Sequence, residues 1–182
     1  DVHLGVAPPE TEQAFLRWLD HTAECASELI LNGDIFDFWF EYRSVIPRGH
    51  TRVLGALADL VDRGVRVTIM AGNHDWWGGS FFSEEIGLTF LQDPVLRDLH
   101  GFQTFLAHGD GLGRGDVGYQ LLRTLVRSRL TRWLFSWLHP NLGIAIAARV
   151  SQTEHSPGGP SKAEKGRSKI LRKWAVGELQ QN

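Results

Sequence analysis

Four short stretches of this 182-residue chain gather aspartate, asparagine and histidine at what read as strand ends. They are Asp1-Val2-His3, Asn32-Gly33-Asp34-Ile35-Phe36-Asp37, Gly72-Asn73-His74-Asp75 and His108-Gly109-Asp110. Ligands of open α/β sheets sit in the crevice beyond the carboxyl ends of the strands. Oxygen and imidazole donors held there suit Mn, Fe or Zn better than a soft, thiolate-binding metal. Two metals sharing a carboxylate, roughly 3.5–4 Å apart, polarise phosphoryl oxygens and lower the pKa of water. Any one of these stretches carries little information, since His-Gly-Asp is a turn in most proteins. Four in order point to a metal centre.

Asp34 is the natural bridge between two ions. Asp1 and His3 stand two apart on an extended segment, so both are expected to face one ion. Asn73 and His108 are expected to serve the second. His74, oriented by Asp75, is expected to stabilise charge on a bound phosphate or to protonate the leaving oxygen. Phe36, Phe38, Trp39 and Phe40 form an aromatic wall behind Asp34, most of it accounted for by core packing.

These residues need a scaffold. Pro8 to Thr22 reads as a helix with Phe15, Trp18 and Leu19 on one face, its proline pair and Glu10 and Glu12 suiting the N-terminus. Leu29–Leu31 is a strand that runs into the Asp34 turn. Arg48 to Arg63 has helical apolar spacing at Val53, Leu54, Leu57, Leu60 and Val61, and Gly64 ends it. Val65–Met70 is the next strand, so strand, helix and strand favour parallel pairing. Ser80–Ile86 reads as a short helix, followed by strands at Leu88–Leu91, Pro94–Leu96 and Gln103–Ala107. Beyond Gly113 the pattern turns helical: one or two helices over Val117–Leu138, and an apolar one over Leu142–Val150. Leu122, Leu125, Trp133 and Trp137 interleave with Arg123, Arg127 and Arg132, as in an interfacial helix or a cover over a greasy ligand. A buried helical hairpin fits the same pattern. Residues 156–161 form a Ser/Pro/Gly linker, and a basic helix with Ile170, Leu171 and Trp174 on one face follows.

The length fits one domain with a substantial core and an insertion. Hydrophobic residues make up 42% and charged residues 22%, an ordinary globular balance. The single Cys25 cannot form an internal disulfide. The net charge of −2 hides an asymmetry: residues 1–113 hold 7 Lys and Arg against 17 Asp and Glu, a net of −10, whereas residues 114–173 hold 12 against 3, a net of +9. A basic second half suits an anionic partner such as phosphate, lipid head group or nucleic acid.

Asp1-Val2-His3, Gly33-Asp34-Ile35-Phe36-Asp37, Gly72-Asn73-His74-Asp75 and His108 resemble the successive motifs of the calcineurin-like metallophosphoesterases. His108-Gly109-Asp110, Asp116-Val117-Gly118-Tyr119-Gln120 with Arg123, and Ile146-Ala147-Ala148-Arg149 resemble the UDP-2,3-diacylglucosamine pyrophosphatases of lipid A biosynthesis. This resemblance implies an α/β (α+β) fold, a four-layer β-sandwich flanked by helices, with an inserted helical lid that receives acyl chains. It implies an incomplete core over 1–113, the lid over 114–155, and a linker and returning helix over 156–182. It further implies two divalent ions, Mn²⁺ first with Fe or Zn as alternatives, held by Asp1, His3, Asp34, Asn73 and His108. His74 and Asp75 would be catalytic. Asn73, His74, Asp116, Arg149 and Lys162 would contact the substrate, Asp116 at the glucosamine and Lys162 at the diphosphate. The reaction implied is hydrolysis of the pyrophosphate bond by metal-bound hydroxide, giving UMP and a lipid monophosphate. The implied location is cytoplasmic, peripheral on an anionic inner-membrane surface. Two departures stand out: His74 occupies a position where many of these enzymes have Arg, and the family's Gly-His-x-His segment is absent. The chain is therefore expected to be a piece lacking both the first strand and that segment.

Two other functions are compatible with these residues. A general phosphodiesterase or nuclease would use the basic half to grip nucleic acid, with steep salt dependence. A non-catalytic membrane-binding module would keep the amphipathic helices without hydrolysis.

Overall fold

A computed structural model describes residues 1–110, 117–154, 169 and 171–176. The chain divides into two compact units, Asp1–His108 and Gly109–Asn182.

In the first unit, α1 (Pro9–Cys25) starts at a proline, which needs no N–H partner there, with Glu10 and Glu12 in the first turn. It buries Phe15, Leu19 and Thr22, one turn apart in succession. Trp18 does not share that buried face; it is 45% exposed and stacks on Phe15 at 5.7 Å. β1 (Glu28–Leu31) leads through the Asp34 turn to α2 (Thr51–Asp62), which buries Val53, Leu54, Leu57 and Leu60. β2 (Arg66–Met70) pairs in parallel with β1, Glu28 opposite Arg66 and Leu31 opposite Ile69. β3 (Thr89–Leu91) adds to the other side of β2, also in parallel. The four residues of β2 after Arg66 are all buried, as a central parallel strand requires.

The predicted helix over Ser80–Ile86 is helical, with a π-helical turn over Phe82–Ile86. Its Phe82 ring is fully buried and stacks on Phe90 at 5.0 Å. β4 (Val95–Leu99) and β5 (Phe102–Leu106) form an antiparallel hairpin. β4 runs three residues past the strand read from the sequence, because His100 and Gly101 both adopt positive φ, +55° and +88°, and close a two-residue turn. Of the implied sandwich, the described residues form this hairpin and the three-stranded parallel sheet, so the fold is α/β.

The second unit holds α3 (Val117–Val126), α4 (Arg129–Ser136) and α5 (Pro140–Glu154), and residues 171–176 are helical. The stretch 117–138 is thus two helices. Ser128 separates them: it is extended, and its hydroxyl accepts from Thr131 N at 3.1 Å as the N-cap of α4. The expected linker over 156–161 lies outside the described residues. No large apolar side chain among the described residues of this unit is buried. No described helix is long and apolar enough to cross a membrane.

Candidate metal centre

The centre is built on the loops that follow β1 and β2. After Leu31 the chain takes two successive left-handed residues, Gly33 at φ +86° and Asp34 at φ +50°. Left-handed backbone is uncommon outside glycine and clusters at functional sites, where surrounding contacts over-determine it. Here the constraint is visible. Val2 N and His3 N both donate to the Asp34 carbonyl, at 2.9 and 3.1 Å. Leu4 N donates to Ile35 O, and Asp37 N donates to Leu4 O.

Two glycines let the loops meet. A side chain at Gly33 would run into His108 and the backbone of Gly72. One at Gly72 would run into the Asp34 carboxylate and its backbone nitrogen. Asp75 then ties the loops together: it is 1% exposed, and its carboxylate accepts from Gly72 N at 2.7 Å and from Ile35 N at 2.9 Å. Burial pushes the Asp75 carboxyl up from the ordinary carboxylate value despite these donors, and the nearby Asp34 charge adds to that. The expectation that Asp75 orients His74 is corrected by this geometry. Its oxygens are taken by backbone N–H groups of both loops, while His74 Nδ1 meets the Asp37 carbonyl at 2.7 Å. Asp37, a residue of the Asp34 motif with no role evident from the sequence, also sets its carboxylate 3.6 Å from both His74 Nδ1 and His3 Nδ1. Its position three residues after Asp34, in the same turn, was the signal for it.

Asp34 lies at the focus. Its carboxylate is 3.1 Å from His108 Nε2 and 4.0 Å from His3 Nε2, and it accepts from His74 N at 3.0 Å. Burial pushes its pKa up, but the hydrogen bond and charge of His108, with the His74 N–H, outweigh that and hold it below the ordinary value. His108 is oriented from behind, its Nδ1 lying 2.8 Å from Asn32 O, which turns Nε2 toward Asp34. Such an outer contact is what fixes the tautomer of a metal-binding imidazole. Asn32 in turn donates to Ala107 O at 3.1 Å, fastening the β1 loop to the end of β5.

Donor atoms of His3, Asp34 and His74 lie within 4.8 Å of one another, and so do those of Asp1, Asp34 and His108. Oxygen and imidazole nitrogen at that spacing fit a divalent ion in each group, with Asp34 common to both. The partition differs from the expected one. Asp1 and His3 fall in separate groups because His3 is not extended; its φ of +51° breaks the alternation that would aim both side chains the same way. His74 joins His3, its ring edge-on at 4.6 Å. Asn73 is half-buried between Gly72 and His74, the residues whose N–H groups go to Asp75 and Asp34. Arg149 is exposed on α5 in the other unit, and Asp116 and Lys162 lie outside the described residues.

Residues 1–157 match the calcineurin-like phosphoesterase family, and the chain belongs to that family. Among curated relatives it is 35% identical over 167 residues to a UDP-2,3-diacylglucosamine hydrolase of Porphyromonas gingivalis, a match covering 89% of this chain and 64% of the relative. It is 37% identical to proteins of the same name from Aeromonas salmonicida and Aeromonas hydrophila, covering 82% and 90% of this chain and 59% and 65% of those proteins. The chain thus spans somewhat under two thirds of the length of these relatives.

Proposed function

We propose that the protein carrying this chain hydrolyses the pyrophosphate bond of UDP-2,3-diacylglucosamine. Water adds at one phosphorus, the bridging P–O bond breaks, and UMP and an acylated sugar monophosphate leave. The observation that carries the reading is the single buried carboxylate, Asp34, common to two clusters of oxygen and imidazole donors. The names of the relatives supply the substrate. His3 and His74 with Asp34, and Asp1 and His108 with Asp34, would hold two divalent ions, Mn²⁺ by preference, and Asn73 would serve as a further ligand. When bound, such ions supply Lewis-acid activation of water and of a phosphoryl oxygen.

The chain's own residues do the rest. His74 gives its Nδ1 proton to the Asp37 carbonyl, which leaves Nε2 as the nitrogen that would donate to an ion beside His3 and Asp34. Buried Asp75 keeps the two loops at a fixed separation. The second unit suits an acylated substrate and an anionic membrane surface. On α4 and its C-cap, Leu130, Trp133, Leu134 and Trp137 recur at helical spacing, all more than half exposed, with Arg129 just before them and Arg132 among them. Contiguous exposed apolar area of this kind marks a binding face. The cytoplasmic side of the inner membrane is where such a protein would meet its substrate.

The test is hydrolysis by the full-length protein with added Mn²⁺. UDP-2,3-diacylglucosamine should be cleaved to UMP, with a rate that depends on acyl length and vanishes after chelation. Cleavage of simple phosphodiesters alone, indifferent to acyl chains, would sink the lipid assignment and favour a general phosphodiesterase.

A further inference from the structure

The segments 37–41 and 74–81 run side by side, and the contacts between them form a ladder that starts at the His74 imidazole. His74 Nδ1 meets Asp37 O, Trp39 N donates to His74 O at 3.2 Å, and Phe40 bridges Trp77 in parallel. The last rung is Glu41. One of its carboxylate oxygens accepts from the Trp39 indole N–H at 3.1 Å and from Gly79 N at 2.7 Å; the other accepts from Phe81 N at 3.2 Å. Half-buried itself, Glu41 satisfies an indole donor on a fully buried ring and two backbone donors of the opposite segment. Buried indole and backbone N–H groups left unmatched are costly, and a carboxylate is a stronger acceptor than a neutral group.

Glu41 is seven residues past Asp34 and 32 or more from every other expected donor, and it belongs to none of the donor clusters. Its acceptors nonetheless decide how the segment after His74 sits against the segment after Asp37. We propose that Glu41 is a positioning residue for the phosphoester-cleaving centre: its carboxylate holds 74–81 in register against 37–41 and thereby sets the His74 imidazole on the Asp37 carbonyl. The proposal rests on the hydrolytic reading above for its kinetic consequence and on the ladder for its structural one. A misplacement on the order of 1 Å in a catalytic constellation costs up to about a hundredfold in rate.

The experiment is a double-mutant cycle in the full-length, Mn²⁺-loaded protein, paired with amide hydrogen exchange. Glu41→Gln, which turns one acceptor oxygen into a donor, should lower kcat by about 10- to 100-fold with KM little changed. In a His74→Ala background the same substitution should change kcat by less than about twofold, because residues acting through one group are non-additive. Exchange at Gly79 and Phe81 should quicken in Glu41→Gln while the thermal midpoint stays close to that of the parent. Glu41→Asp, which keeps the charge and withdraws it by one methylene, should fall between parent and Gln in both readouts. Unchanged exchange at Gly79 and Phe81 overturns the proposal, as does a kcat loss that persists in full without His74. If the parent protein does not cleave the substrate, it is the hydrolytic reading that fails, and the exchange data then decide the positioning role by themselves.

Discussion

The two units invert each other's chemistry. In Asp1–His108 three carboxylates are inside: Asp34, Asp37 and Asp75 are 4%, 7% and 1% exposed, set among Leu4, Ile35, Phe36 and Trp39. Among the described residues of the second unit the large apolar groups are exposed or half-buried, with Trp137 75% and Leu121 71% exposed, and the Asp110 carboxylate is withdrawn instead. There Asp110 accepts from Arg123 at 3.0 Å and from Arg127 at 2.6 Å, fastening α3 to the backbone two residues past His108. Burying a carboxylate is costly unless donors surround it; Asp34 has His74 N and His108 Nε2, and Asp75 has Gly72 N and Ile35 N. Exposing leucine and tryptophan is costly unless something apolar covers them. The first unit therefore reads as a preorganised centre, and in the proposal above the second supplies the face for an apolar ligand. Breaking one should leave the other intact.

The largest effect is expected at Asp34. Asp34→Ala removes the donor common to both clusters, so hydrolysis in the full-length protein should fall by about a thousandfold or more, since several kcal/mol of charge stabilisation depend on the ions it would hold. Elemental analysis should find bound Mn²⁺ reduced from two equivalents to one or none. Binding to anionic vesicles, which the proposal assigns to the second unit, should not change. Loss of vesicle binding together with the metal would break the separation of roles.

Next comes the loop contact. Gly72→Ala would push a methyl group into Asp34, and overpacking of that kind costs about 1–3 kcal/mol. Urea unfolding should reveal it, along with weaker Mn²⁺ binding. Gly55→Ala is the control, because nothing lies within 4 Å of the added methyl on α2. That variant should be more stable by up to about 1 kcal/mol, the helix-propensity gain of alanine over glycine. Equal destabilisation of both would mean that the Gly72–Asp34 approach is not what glycine protects.

In the second unit, Trp133→Ser and Trp137→Ser should weaken binding to vesicles of anionic phospholipid by about tenfold each, a fraction of the 1.5–3 kcal/mol that full burial of a large apolar side chain supplies. Metal content and hydrolysis of a short, soluble phosphodiester should stay at parent levels. A flotation assay reads the first and elemental analysis the second.

What the sequence made legible was the part dictated locally. The 3.6-residue spacing of Val53, Leu57 and Leu60 and the unbroken run Val67–Met70 are consequences of neighbours along the chain, and both elements are where they were expected. The positive φ at His3 is not local. It follows from two N–H groups of the N-terminal segment converging on one carbonyl of a loop thirty residues away, so Asp1 and His3 part company in a way that no spacing rule anticipates. The exchange of roles between Asp75 and Asp37 has the same origin: either could have faced His74, and the backbone donors of Gly72 and Ile35 claimed Asp75. The apolar character of 117–150 was plain, but periodicity cannot tell a buried hairpin from an exposed face. Only the tertiary structure reveals that Leu130 and Trp133 are uncovered.

The smallest effect is expected from pH, and it is confined to the first unit. His50 precedes α2, is 6% exposed and lies against Phe36 and Trp39, with ring centroids 4.8 and 6.1 Å away. Burial holds its imidazole below the ordinary 6.5, and the charge of Glu12 only partly offsets that. The folded chain therefore keeps His50 neutral at a pH where the unfolded chain has already protonated it. Between the lowered folded value and 6.5 the unfolded state binds more protons, so stability falls as the pH drops through that window and levels off below it. Above 6.5 the contribution is complete. His50→Asn removes the titration and keeps a side chain that can cap α2. Parent and variant should thus differ in how far their urea midpoints fall between pH 8 and pH 5, with the parent falling further. Amide exchange within α2 should follow the same difference, while exchange in α4 should not. Equal slopes in the two proteins would mean that His50 is protonated without cost inside the aromatic cluster, and the first unit would then tolerate a buried cation as readily as its buried carboxylates.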